Sequence, residues 1–169
     1  MRNLVAAVVI VACLVTPALA QPKDAPGTAA QIDYAGFQSL TQEVSAYRDD
    51  RLVSLNQFQA MAREPNTIVL DARSADAYAE GHIEGAINLP FTDFTAPALA
   101  AALGDPNTRI LIYCNNNFSN NQRPVVLKRV ELALNIQTFI NLYGYGYRNV
   151  YELGDVVDFN DGAVGWVRG

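Results

Sequence analysis

Cys114 is the residue of this 169-residue chain that is best suited to chemistry. This cysteine directly follows the apolar, β-favouring run Ile110–Tyr113 and directly precedes three asparagines, 115–117. The run predicts a strand buried on both faces, and a cysteine at the carboxyl end of such a strand lies where open α/β sheets form ligand crevices. Asparagine tolerates left-handed backbone conformations, so the triplet predicts a sharp loop with inward-pointing N–H groups. This stretch alone leaves two interpretations open, a reactive thiolate and an inert buried thiol.

Three other side chains are candidates for chemistry. Asp71 and Arg73 follow the apolar run Thr67–Leu70, and we favour a structural ion pair over a catalytic carboxylate there, because such pairs are common near strand ends. His82 is the chain's single histidine, which excludes a multi-histidine metal site. A role in holding a turn is favoured over general-base catalysis at the thiol. We predict no metal site and no cofactor.

The pattern of apolar residues predicts short helices alternating with short strands. The spacing of Phe37, Leu40, Val44 and Tyr47 predicts a first amphipathic helix over residues 34–47. Ser54 and Gln57 have the spacing of a capping box that opens a second helix. The remaining predicted elements are a strand at 67–71, a helix from Ser74 to Gly81, a helix from Pro97 to Leu103, a helix over 132–143 and a strand at 149–153. This alternation predicts an α/β fold with a mostly parallel central sheet flanked by helices.

The first twenty residues have the three-part pattern of a secretory signal peptide. Arg2 precedes the apolar run Leu4–Val15, and Ala18-Leu19-Ala20 favours cleavage after Ala20 over a lipoprotein site at Cys13. We therefore predict a signal peptide over 1–20, a linker over 21–30 and one domain over 31–169, exported to the periplasm or secreted, with no membrane span.

Cleavage after Ala20 would leave an acidic protein with a single thiol. It would keep eleven basic and seventeen acidic residues, a formal charge of −6. An acidic chain without a basic cluster is a poor nucleic-acid binder. Since Cys114 would be the remaining cysteine, an intramolecular disulfide is excluded and the thiol is expected to be either well buried or useful.

Three segments of the sequence form one recognisable pattern. They are Ile68-Val69-Leu70-Asp71-Ala72-Arg73 followed by Tyr78 and Gly81-His82-Ile83-Glu84-Gly85-Ala86-Ile87-Asn88-Leu89-Pro90, the strand running into Cys114, and Gly146-Tyr147-Arg148-Asn149-Val150-Tyr151-Glu152-Leu153. Together these segments resemble the rhodanese-like domain family. The resemblance covers residues 52–153 and leaves helix 34–47 as an addition. It implies a three-layer sandwich in which Asp71, Arg73, Gly81, His82 and Gly85 belong to a structural signature.

The resemblance also implies a persulfide mechanism. Cys114 would take a sulfane sulfur from a small sulfur-containing anion such as thiosulfate and pass it to a thiol or cyanide acceptor. Backbone amides of the loop would hold the anion, which makes Asn115, Asn116, Asn117, Phe118 and Ser119 candidate substrate-binding residues. Oriented amides and a positive helix end lower a cysteine's pKa and stabilise an anion on its sulfur.

The loop departs from the family pattern at one position that concerns the substrate. Family members commonly carry Arg five residues after the cysteine, where this chain has Ser119. We expect Arg123, the next cation, to fold back over the site, but Pro124 favours an extended backbone at Arg123 that would equally carry its side chain out to solvent. We expect weak binding of the thiosulfate dianion. Two functions are therefore predicted: an exported sulfurtransferase acting through Cys114, or a non-catalytic module that binds a protein partner or a small anion.

Overall fold

A computed structural model describes residues 30–168 of the chain. The predicted signal peptide, and the linker up to residue 29, lie outside the described residues. Within the described part of the chain, no helix is long and apolar enough to cross a membrane.

Five α-helices and seven strands form the domain. The helices are α1 (Tyr34–Asp49), α2 (Leu55–Ala62), α3 (Ala75–Glu80), α4 (Ala96–Leu103) and α5 (Leu134–Gly144). The strands are β1 (Leu52–Val53), β2 (Thr67–Asp71), β3 (His82–Ile83), β4 (Ile87–Asn88), β5 (Arg109–Tyr113), β6 (Val150–Leu153) and β7 (Trp166–Val167). Side chains of Asp33, Ser54, Ser74 and Thr95 cap the first four helices, and Ser54 with Gln57 forms the predicted capping box.

Five strands form one parallel sheet in the order β1-β6-β5-β2-β4. Strand β5 is central, and its side chains alternate between two apolar cores. Ile110 and Ile112 face the core formed with α1, α4 and α5, whereas Leu111 and Tyr113 face the core formed with α2 and the C-terminal segment. The helix–sheet–helix layering confirms the predicted α/β sandwich.

The sequence interpretation missed the second, antiparallel sheet of β3 and β7. Each of its strands has two residues, too few for an alternating pattern to show. The structure also corrects the helix predicted over 132–143: residues Val130–Leu132 form a 3-10 turn, and α5 begins at Leu134. That shift matters for the site, because it decides which amides are left free at the start of α5.

Candidate functional site

Cys114 ends the central strand and borders a cavity. Its side chain is about 1% exposed, and the cavity beside it has a volume of about 400 Å³. Apolar residues form half of the lining, and the rest consists of Cys114, three asparagines, two hydroxyl residues, one glycine and one ion pair. Among the lining residues are Val44, Arg48, Leu52, Asn117, Val130, Asn135, Ile136, Phe139, Glu152, Leu153 and Val156.

Backbone amides from two separate segments point at the cysteine sulfur. The Leu134 and Asn135 amides come from the first turn of α5, and the Asn116 amide comes from the cysteine's own loop. The Asn117 amide approaches the sulfur and also donates to the Cys114 carbonyl oxygen over 3.0 Å. Helix α5 has no side-chain cap, because its N-cap residue is Ala133. The Cys114 sulfur therefore lies near the free amides of the uncapped first turn of α5.

The three loop asparagines tie the loop down through their side chains. Residues Asn115–Asn117 turn the chain as a 3-10 turn, without using the left-handed backbone that asparagine tolerates. Asn116 Nδ2 donates to the Lys128 carbonyl oxygen and its Oδ1 accepts from the Lys128 amide, at 2.8 and 3.2 Å. Asn115 Nδ2 donates similarly to the Val126 carbonyl oxygen. The side-chain amides of Asn115 and Asn116 therefore anchor the segment around residues 126–128, which follows the loop.

The predicted cradle of amides from Asn115 to Ser119 does not form as a unit. The Phe118 amide donates to the Asn115 carbonyl oxygen and the Ser119 amide to the Val157 carbonyl oxygen, so both are already occupied. The Phe118 ring is fully buried against Tyr113 and Trp166. Phe118 and Ser119 therefore pack between the loop and the C-terminal segment. The amides that we expected them to direct at Cys114 come instead from α5.

Arg123 lies away from the cysteine, contrary to expectation. Its guanidinium pairs with the Glu80 carboxylate, and its side chain is 76% exposed. The pair lowers the pKa of Glu80 and raises that of Arg123. The positive charge that we expected at the loop is therefore paired with Glu80 of α3 at the surface.

Sequence reasoning missed a polar network on the other side of the sulfur. Arg48 of α1 binds Glu152 of β6 through two hydrogen bonds of 2.5 and 2.8 Å. Asn135 Nδ2 donates to Glu152 Oε1 over 3.2 Å and to Asn117 Oδ1 over 3.1 Å, while Asn117 Oδ1 also accepts from the Cys114 amide. The sequence showed a glutamate inside the predicted strand 149–153, which could have indicated a polar contact there but not its distant partner Arg48.

The electrostatic surroundings keep the thiol protonated in the resting protein. Burial raises the pKa of Cys114 above its ordinary value, and the negative charge of Glu152 raises it further. The amides of Asn135, Asn116 and Leu134 act in the opposite direction without overcoming burial. The amides are therefore placed to stabilise an anion that forms during a reaction, whereas the resting thiol is neutral.

The signature residues Asp71 and Arg73 form a fully buried ion pair. Arg73 donates through Nε and Nη2 to both Asp71 oxygens, and Nη2 also donates to the Gly81 carbonyl oxygen over 2.7 Å. Tyr113 Oη donates to Asp71 Oδ2 over 2.6 Å and accepts from the Ile83 amide. These contacts join β2, β3 and β5.

The other signature residues lie around this ion pair. The His82 ring stacks on Tyr78 at 3.8 Å, and its Nδ1 lies 2.9 Å from the Tyr78 carbonyl oxygen. Gly81 packs so closely against Trp166 that a Cβ atom would come within 2.5 Å of the indole nitrogen. Gly85 has φ +80°, a conformation that disfavours side chains. None of these three is among the residues that line the described cavity at Cys114.

Comparison with known proteins agrees with this architecture. The family model of the rhodanese-like domain matches residues 54–166, about two thirds of the chain. Similar solved structures include a rhodanese with anions from E. coli (24% identity, 61% of this chain and 99% of that chain, TM-score 0.41). A thiosulfate sulfurtransferase from Pseudomonas aeruginosa is 21% identical over 79% of this chain and 23% of its own length, with TM-score 0.49. No curated protein matches significantly. From its match to the family model, this chain belongs to the rhodanese-like domain family.

Proposed function

We propose that the protein is a sulfurtransferase that carries a sulfane sulfur as a persulfide on Cys114. One observation carries the proposal: the uncapped first turn of α5 directs the Leu134 and Asn135 amides at the Cys114 sulfur. A helix N-terminus with free N–H groups stabilises an anion through hydrogen bonds and the helix dipole. A terminal persulfide sulfur is such an anion.

The reaction has two balanced steps. In the first, the Cys114 sulfur attacks the sulfane sulfur of the donor, a new S–S bond forms, and the donor's leaving group departs with the electron pair of the broken bond. The proton of the resting thiol goes to the leaving group or to solvent. In the second, a thiolate acceptor attacks the terminal sulfur and Cys114 leaves as a thiolate. The amides offset the negative charge in both steps.

The charge of the site favours a donor other than thiosulfate. Arg48 and Glu152 are the charged side chains of the described cavity lining, and they neutralise each other. Arg123 is engaged by Glu80, and Ser119 stands where family members commonly carry arginine. A dianion would thus enter a largely apolar space without a compensating cation, which is costly.

A second candidate function is that of a non-catalytic binding module. The observation that favours it is the burial of Cys114, which raises the pKa of the thiol and lowers the fraction present as thiolate at neutral pH. In this alternative the cavity would bind a small molecule or a partner segment, and the cysteine would serve as an apolar wall residue.

Intact-mass measurement of the purified protein separates the two functions. We expect incubation with a sulfane-sulfur donor to add the mass of one sulfur atom to the wild-type protein, reversibly by a thiol reductant. Cys114→Ser is the matched control and should gain no mass. A wild-type protein that remains unmodified by inorganic polysulfide, thiosulfate and organic thiosulfonates alike would favour the binding module.

We also propose that the protein is exported. The support is the apolar segment and the Ala-x-Ala site ending at Ala20. N-terminal sequencing of the protein from its native host tests this, with Gln21 expected as the first residue. A lipid-modified chain starting at Cys13 would instead indicate a membrane-anchored lipoprotein.

A further inference from the structure

We propose that a basic groove on the surface of the domain docks a protein partner, through a chain segment of that partner that carries carboxylates next to large apolar side chains. The groove lies between residues 126–132 and the start of α5. Its volume is about 370 Å³, and its lining consists of Lys128, Arg129, Leu132, Leu134 and Gln137. This interaction is separate from sulfur transfer and does not require it.

The segment 126–132, which forms one side of the groove, is exposed along its whole length. All seven of its residues are exposed, although Val126, Leu127, Val130 and Leu132 are large and apolar. The exposed fraction reaches 74% at Val130. A contiguous set of exposed apolar side chains is typical of a surface that another molecule covers.

The backbone of this segment is fixed although its side chains are exposed. The Asn116 side chain binds both the amide and the carbonyl group of Lys128, at 3.2 and 2.8 Å. Asn121 Oδ1 accepts from the Leu127 amide over 3.1 Å. A segment held in this way loses little further conformational freedom when a partner binds, which favours a docking surface.

The charge of the groove is opposite in sign to that of the whole chain. Lys128 and Arg129 line the groove, whereas the chain has a formal net charge of −5. Lys128 has no ion-pair partner among the described residues, and Arg129 Nε lies 3.6 Å from Glu131 Oε2 in an exposed contact. Of the described residues, none that lines the groove is acidic. Charge complementarity therefore favours carboxylates on the partner.

A neighbouring cavity extends the groove. The two share Lys128, Leu134 and Gln137, and the neighbouring cavity has a volume of about 650 Å³. Its own lining includes Asp76 and Asp93, so we expect the carboxylates of the partner at the other, basic end. Two joined concave spaces fit an extended chain segment, whereas a flat lipid surface would contact only their rim.

The groove also adjoins the site at Cys114. Val130 of the exposed segment lines the cavity beside Cys114, and Leu134, whose amide points at the sulfur, lines the groove. A partner seated in the groove would therefore lie next to that cavity. Apolar side chains of the partner would be buried against Leu132 and Leu134 while its carboxylates meet the two cations, a combination typical of specific interfaces.

The test starts from a random library of short peptides displayed on phage and selected on the immobilised full-length protein. Selected peptides should carry a net negative charge and at least one large apolar side chain. A synthetic copy of the most enriched peptide is then titrated with the protein by fluorescence anisotropy, and its affinity should fall as the salt concentration rises. A selection that yields no binding peptide, or peptides without an excess of acidic residues, would overturn the inference.

Two double variants of equal charge locate the binding site. Lys128→Glu with Arg129→Glu should raise the Kd of the peptide by at least about tenfold, because two attractive charges become repulsive. Arg63→Glu with Arg168→Glu is the matched control, since both arginines are exposed and neither lines the groove. This control should leave the Kd within about twofold, because distant surface charges are screened. Equal losses in the two double variants would overturn the groove as the binding site.

Two single variants test the apolar contact and the independence from the thiol. Leu132→Ser should weaken binding, whereas Ile32→Ser, at an exposed apolar residue outside the groove, should not. Unchanged binding by Leu132→Ser would overturn the apolar part of the inference. Cys114→Ser should bind the peptide as the wild-type protein does. Weaker binding by this variant would place the peptide in the Cys114 cavity and overturn the groove, whatever the outcome of sulfur loading.

Two other occupants of the groove give different results. Vesicles made of equal parts of phosphatidylglycerol and phosphatidylcholine test a lipid surface, and light scattering after size-exclusion chromatography tests a second copy of this chain. We expect the wild-type protein to remain unbound to the vesicles and monomeric. Vesicle binding or dimerisation that Lys128→Glu with Arg129→Glu abolishes would assign the groove to that occupant and overturn the protein partner.

Discussion

Two ion pairs of the domain differ in how far they are shielded from solvent. Asp71 and Arg73 join the signature segments, and their partners include the Tyr113 hydroxyl and the Gly81 carbonyl oxygen. Arg48 and Glu152 join α1 to β6 beside Cys114. The first pair has almost no exposed surface, whereas the Arg48 side chain remains one third exposed.

The comparison separates a stabilising network from one available for chemistry. A saturated buried network specifies geometry and leaves nothing for a ligand. The network at Cys114 lies beside a cavity, includes amides directed at a sulfur, and leaves the buried Asn135 Oδ1 without a hydrogen-bond partner among the described residues. We therefore expect substitutions in the first network to affect stability and those in the second to affect the reactivity of the thiol.

The largest expected effect is that of Arg73→Met. This change leaves the Asp71 carboxylate buried without its partner, a situation that typically costs about 3–5 kcal/mol of folding free energy. Urea unfolding followed by circular dichroism measures the loss. Arg48→Met is the comparison variant and should lose much less, because solvent reaches its ion pair. Equal losses for the two variants would contradict the distinction.

Glu152→Gln should lower the pKa of the Cys114 thiol. Because the Glu152 charge raises the pKa of Cys114, its removal should lower that pKa while the amide oxygen still accepts from Asn135. The rate of alkylation by iodoacetamide against pH measures the shift. In the wild-type protein the midpoint should lie above the ordinary value of 9.0. A Glu152→Gln midpoint equal to or above that of the wild type would show that the carboxylate does not act on the sulfur.

The raised pKa of Cys114 also predicts that the folding stability depends on pH. The folded-state pKa of Cys114 is raised, so the protonated thiol contributes stability fully below the unfolded value of 9.0 and loses that contribution as pH rises through the folded value. Relative to Cys114→Ser, the wild-type protein should therefore lose stability at alkaline pH and show no such difference at neutral pH.

His82→Ala should have a smaller effect, confined to stability. The change removes the stacking contact with Tyr78, worth about 1 kcal/mol for an aromatic pair. Thermal unfolding should show the loss, whereas the mass of sulfur added at Cys114 should stay the same. Unchanged stability combined with loss of sulfur loading would identify His82 as a catalytic base.

The smallest effect is expected for Arg123→Ala. Its ion pair with Glu80 lies at the surface, and such pairs contribute little to stability. The alkylation rate of Cys114 should also be unchanged, because Arg123 does not line the cavity. A slower alkylation in this variant would restore the sequence-based expectation that Arg123 covers the site in solution.

Local patterns accounted for the parts of the fold that could be predicted. The apolar run of β5, the capping box at Ser54 and the pairing of Asp71 with Arg73 all depend on residues close in sequence. The Arg48–Glu152 pair joins residues 104 positions apart, and no local pattern reveals such a contact. The role given to Phe118 was wrong for a similar reason, because its burial depends on Trp166 from the end of the chain.

A crystal structure of the persulfidated protein tests the central claim most directly. We expect electron density for one additional sulfur on Cys114, with the terminal sulfur within hydrogen-bonding distance of the Leu134 and Asn135 amides at the start of α5. Density that ends at the cysteine sulfur after treatment with donors, or a terminal sulfur directed away from α5, would contradict the account.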